Sequence, residues 1–174
     1  MKIDHAITQG HVSHALKLLA INSNAGSPEY ADLFILTGLI LIHHIDGHVE
    51  NATLAASLTL CYFDIFPTGG AAVELTKAAA SPAISNFEIG SYVSKDREAA
   101  QNMTAARANV AIFEEEDSSL RESRKPFVAG KKSGAVTTIR FVYTAGGNYT
   151  AENGRIHFDV LWEPISDDGN LVAA

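Results

Sequence analysis

"LILIHHIDGH", residues 39–48, decides how this chain is read. Aliphatic residues run straight into His43 and His44, and Ile45, Asp46, Gly47 and His48 follow. Asp-Gly is a strong turn signal, and two local structures compete for it. In the first, 39–45 and 48–54 are paired strands of a hairpin. In the second, Asp46-Gly47 ends one helix and "HVENATLAASLTLCYF" (48–63) forms the next. The second is favoured, because "NATLAASLTL" is rich in Ala and Leu and because Leu54, Leu58 and Cys61 recur at helical spacing. The histidines then lie at a corner, capping the C-terminal end of an apolar element.

Working upstream, Ser27 is a good N-cap, with Pro28 at the first helical position and Glu29 in the first turn. The helix they open carries Tyr30, Leu33, Phe34 and Leu36 and becomes apolar on all sides by residue 39, the mark of a buried element. Before it, Val12, Ala15, Leu16, Leu19 and Ala20 give 11–22 the pattern of an amphipathic helix. Downstream, "FPTGG" (66–70) closes an element, and 71–80 reads as a short helix stopped by Ser81-Pro82. Residues 82–93 read as loop or irregular extended chain. Ser94 caps a long helix over 95–123, whose apolar face is Ala99, Met103, Ala106, Val110 and Phe113.

The texture changes at Pro126. Residues 135–144 alternate, with Val136, Thr138, Arg140 and Val142 on one face and Ile139, Phe141 and Tyr143 on the other. Residues 154–165 alternate too: Ile156, Phe158, Val160 and Trp162 against Arg155, His157, Asp159 and Leu161. Joined by the loop "AGGNYTAENG", they read as an antiparallel ribbon. The expected fold is α+β: a helical region over 1–125, then a β-hairpin or ribbon with a C-terminal tail over 126–174, together forming one domain. A lone hairpin is marginal in water, so its apolar face must meet helices or another chain. Phe158, Val160, Trp162 and Val142, with Leu171 and Val172 of the tail, are the expected interface residues.

The net charge of −7 argues against a general nucleic-acid binder, which needs clustered Lys and Arg. Charge is uneven: residues 1–90 carry three basic and eight acidic side chains, residues 91–174 ten and twelve. A half so poor in charge builds a core or faces partners. The single cysteine, Cys61, precludes an internal disulfide and sits in apolar "LTLCYFDIF", where it behaves as a small hydrophobe. The start "MKIDHAITQG" lacks the features of a secretory signal, so the expected site of synthesis is the cytoplasm. The N-x-T sequons at Asn51, Asn102 and Asn148 read as chance matches. The apolar run 33–42 falls well short of the roughly 20 residues of a spanning helix, so no membrane association is expected.

Chemistry-bearing motifs are sparse. His44 and His48 have the i, i+4 spacing of zinc ligands on a helix, with Asp46 as a third candidate, but the catalytic Glu of H-E-x-x-H is missing and Gly47 breaks the helix. "EEED" (114–117) reads as a solvated helix face. Arg124, Lys125, Lys131 and Lys132 form the basic cluster that could contact a polyanion, and otherwise a linker. "GKKSG" lacks the P-loop frame, and "TGG" and "TAGGN" lack the dinucleotide fingerprint and its βαβ context. No G-x-S-x-G elbow occurs. No cofactor is expected.

Two functions from different classes follow. The first is a structural subunit of a symmetric homo-oligomer, such as a capsid, decoration, tail or neck component of a virus or phage particle. Its partners are copies of itself and other proteins of the same assembly, and its final location the virion. The second is a small metal-binding protein or enzyme using His43, His44, Asp46 and His48.

Overall fold

The structure, a computed structural model, describes residues 12–22, 24–52, 58–76, 92–94, 104–106, 126–130, 136–148 and 154–174. Their regular elements are all strands: β1 (Ser13–Ala20), β2 (Pro28–Thr37), β3 (Leu39–Ala52), β4 (Leu58–Pro67), β5 (Val73–Glu74), β6 (Tyr92–Ser94), β7 (Thr104–Ala106), β8 (Phe127–Gly130), β9 (Thr137–Ala145), β10 (Gly154–Pro164) and β11 (Asn170–Ala173). The α+β expectation is overturned. Among the described residues there is no helix, and the expected helices over 11–22, 28–45 and 48–63 are β1, β2 with β3, and β3 with β4. The 95–123 stretch lies outside the described residues, except for the strand β7.

Bulges explain the helical spacing. On β3 the core-facing residues are Ile40, Ile42, Ile45, Gly47 and Val49. Trp162 pairs with Ile42 and Leu161 with His44, so His43 is an extra residue. A bulge of this kind moves every later side chain to the other parity. The step from Ile42 to Ile45 therefore imitates one helical turn. Likewise on β4, Leu58 pairs with Ala145 and Leu60 with Thr144, leaving Thr59 over, and the buried residues become Leu58 and Cys61. On β2 the extra residue is Leu33, which with Phe34 is fully buried.

The apolar run 33–42 is two strands in different sheets, folded at Gly38. Gly38 has φ of 59°, in the left-handed region, and a Cβ there would lie 2.5 Å from Asp168 Oδ1 and 2.6 Å from Gly169 N. The 165–169 turn caps this corner. Ser166 Oγ accepts from Leu39 N at 2.8 Å, and Ile165 N donates to Leu39 O at 2.9 Å. Gly47, by contrast, makes no turn. It lies inside β3, opposite Phe158 and Val93, and the Phe158 ring fills the space a side chain would need.

One sheet has the order β1-β10-β3-β6-β7, with β8 pairing the first residues of β3; the other has the order β11-β2-β9-β4-β5. The expected C-terminal ribbon is corrected too: β9 and β10 do not pair with each other but are interior strands of opposite sheets. Four nested pairs, β1 with β10, β2 with β9, β3 with β6 and β4 with β5, describe a long hairpin folded over on itself. That is the double Greek key of a jelly roll, here with β7, β8 and β11 added.

The inner faces meet in an apolar core. The Phe158 ring of the first sheet stands 5.1 Å from Phe141 and 6.0 Å from Phe63 of the second. Burying each such side chain contributes roughly 1.5–3 kcal/mol. Tyr143 reaches the chain between β1 and β2, donating to Asn22 O at 2.9 Å. On β1, Lys17 occupies a core-facing position and donates to the carbonyl of Ala174, so an inward charge closes the side of the sandwich. The tail is held by its own chain: β11 pairs with β2, and Ala174 N donates to Leu33 O at 2.9 Å.

Candidate functional site

Alternation sends the polar residues of the first sheet outward. With Ala15, Phe158, Val160, Ile45 and Gly47 facing the core, the outer face is built in rows across β1, β10 and β3. One row is His14, Leu161, His44; the next is Leu16, Asp159, Asp46; the third is Leu18, His157, His48. Four imidazoles and two carboxylates thus share one surface. The strand period of two, not a helical turn, brings His44, Asp46 and His48 to one side.

Asp46 and Asp159 are directly opposed, an unfavourable placement for like charges. Each has an imidazole beside it: His14 Nδ1 lies 3.2 Å from Asp159 Oδ1, and His44 Nε2 lies 3.2 Å from Asp46 Oδ2. His43, the bulge residue, lies 3.3 Å from Glu163 Oε1. In solvent such pairs are worth at most about 1 kcal/mol each. His48 and His157 face one another instead, with ring centroids 5.0 Å apart and planes inclined at 55°.

The metal candidates of the sequence, His44, Asp46 and His48, are therefore neighbours on one face. Among the described residues, however, no three or more His, Cys, Asp or Glu side chains are grouped to hold a metal ion. Reading 39–48 in isolation missed His14, His157 and Asp159. The alternation of 154–165 already put His157 and Asp159 on one face; what was lacking was the pairing of β10 with β3.

The expected interface residues take different places. Phe158, Val160, Trp162 and Leu171 are buried in the core cluster, and Val172 is exposed on β11. Val142 lies on the outer face of the second sheet, fully buried between its register partners Tyr30 and Tyr62. In the adjoining row Arg140 stands between Asp32 and Asp64, with its guanidinium over the Phe66 ring at 4.2 Å. The hydrogen bond from Arg140 to Asp64 raises the guanidinium pKa above its already high range, so it stays charged. The basic residues Arg124, Lys125, Lys131 and Lys132, and "EEED", lie outside the described residues.

Burial pushes the Cys61 thiol up to about 12, which removes it as a nucleophile at neutral pH. Among the described residues no helix is long and apolar enough to cross a membrane. Comparison with family models, with curated proteins and with solved structures finds no match to this chain.

Proposed function

We propose that the chain is a structural subunit that associates with copies of itself, and with other proteins of the same assembly, into a symmetric particle of the virus or phage type. The observation that carries this reading is the nested strand pairing closed on a solid core. Viral shells, lectins and cupins share that topology. A cupin-like use needs an open interior with ligands pointing into it. Here Phe34, Phe63, Phe141 and Phe158 fill the interior, and His14, His44, His48 and His157 are on the outside. Surface is left for association: on β1, at the end of its sheet, Leu16 and Leu18 are 54% and 47% exposed. On this reading the mature location is the particle itself.

Native mass measurement of the purified chain tests the proposal. The expected result is a closed oligomer, as identical subunits with complementary patches form. Leu16→Asp with Leu18→Asp should reduce it to smaller species without altering the β-sheet circular dichroism. Val160→Asp, in the core, should unfold the chain instead. A wild-type chain that stays monomeric at high concentration overturns the reading.

A further inference from the structure

We propose that His48 and His157 form a chelating pair for a divalent transition-metal cation of the class that favours imidazole, Cu2+, Ni2+ or Zn2+. The two residues are directly opposed on β3 and β10, and their rings are 5.0 Å apart and inclined, not stacked flat. Opposed side chains on antiparallel strands have Cβ atoms about 4.5–5.5 Å apart. A cation held at about 2.0–2.1 Å by two imidazoles needs their nitrogens about 3 Å apart, a separation that small rotations of these rings supply.

Three features favour this pair, and the first separates it from the other described imidazoles. His14, His43 and His44 each lie beside a carboxylate, whereas His48 and His157 have no carboxylate beside them among the described residues. His48 is exposed and His157 half-buried, so a hydrated cation reaches both. The adjoining row holds the opposed carboxylates of Asp46 and Asp159, whose field favours a cation. Arg155, the next outward residue of β10, acts in the opposite sense. Two protein nitrogens make an open site in which water completes the coordination shell. This fits a surface on which, among the described residues, no third ligand converges, and imidazole is the donor that suits these three ions. The inference is independent of the assembly reading.

The test is calorimetric titration of the full chain with NiCl2 at neutral pH, for the wild type and for His48→Ala, His157→Ala and His14→Ala. The expected result is one site per chain, weakened about a hundredfold in either member of the pair, because two linked donors bind that much more tightly than one. His14→Ala should bind as the wild type does. Nickel should also raise the unfolding temperature of the wild type and not of the pair variants. Absence of binding at millimolar nickel, or an isotherm that neither pair variant changes, overturns the proposal.

Discussion

Asp64 and Arg140 stand opposite each other across β4 and β9 and are joined by two hydrogen bonds, Nε to Oδ1 at 2.8 Å and Nη2 to Oδ2 at 2.6 Å. Asp64 is 1% exposed, so its charge is out of water and depends on this fork. Removing one partner of a buried pair costs about 3–5 kcal/mol, whereas replacing both by apolar groups is often neutral. Arg140→Met should therefore lower the urea midpoint strongly. Asp64→Leu with Arg140→Met should recover most of the loss. A double variant as unstable as Arg140→Met would show that packing, and not the stranded carboxylate, sets the cost.

Gly47 is expected to tolerate no side chain. Its Cβ would meet Phe158 Cε1 at 2.6 Å and Val93 Cγ2 at 2.8 Å. Overpacking of this kind costs about 1–3 kcal/mol, so Gly47→Ala should lower stability by that order. Phe158→Leu destabilises alone by leaving space, yet should be partly compensated by Gly47→Ala. A double-mutant cycle by chemical denaturation measures the coupling, and strict additivity would show that the ring does not fill this space.

The strands of the second half were legible because nothing interrupts their period near the core. Residues 156, 158, 160 and 162 face inward in β10, as do 139, 141 and 143 in β9, as alternation requires. The first half was misread for three physical reasons. Bulges at His43 and Thr59 turn a period of two into steps of three. A left-handed glycine hides a sheet change inside one apolar run. On β1, Lys17 takes a core-facing position while Leu16 and Leu18 face out, which scrambles the contrast that a strand normally displays. Long-range pairing also overrides local propensity in strands. That pairing, which a single stretch cannot display, is what assembles His48 with His157. It also explains why the sequence reading placed the right residue types in the wrong partnership.

Two glycines of similar backbone geometry should respond very differently to alanine. Gly26 and Gly38 have φ of 76° and 59°, and both therefore carry the left-handed penalty of about 1–2 kcal/mol for a residue with a Cβ. Among the described residues nothing lies within 4 Å of a Cβ at Gly26, while at Gly38 it meets the backbone of Asp168 and Gly169 at 2.6 Å. Gly26→Ala should thus show the conformational cost alone. Gly38→Ala should exceed it clearly, since it also displaces the turn that leads into β11. Thermal unfolding of the two variants makes the comparison, and equal losses would mean that the corner is not tightly closed.

Cys61 should label only when the sandwich opens. The reactive species is the thiolate, and burial raises this thiol from 9.0 to about 12. The folded chain thus keeps the proton at pH values where the unfolded chain has lost it. The associated stability is complete below pH 9.0 and is lost as the pH rises from there towards about 12. Two measurements follow. At pH 8 a disulfide reagent should modify the native chain at least about a thousandfold more slowly than the denatured one, because a stability of about 5 kcal/mol or more keeps the core closed. Between pH 9.0 and 12 the denaturation midpoint should fall, and Cys61→Ala should flatten part of that fall. Native-state labelling as fast as in denaturant would place the thiol at the surface, and would undo the core assignment of β4 on which the sheet order rests.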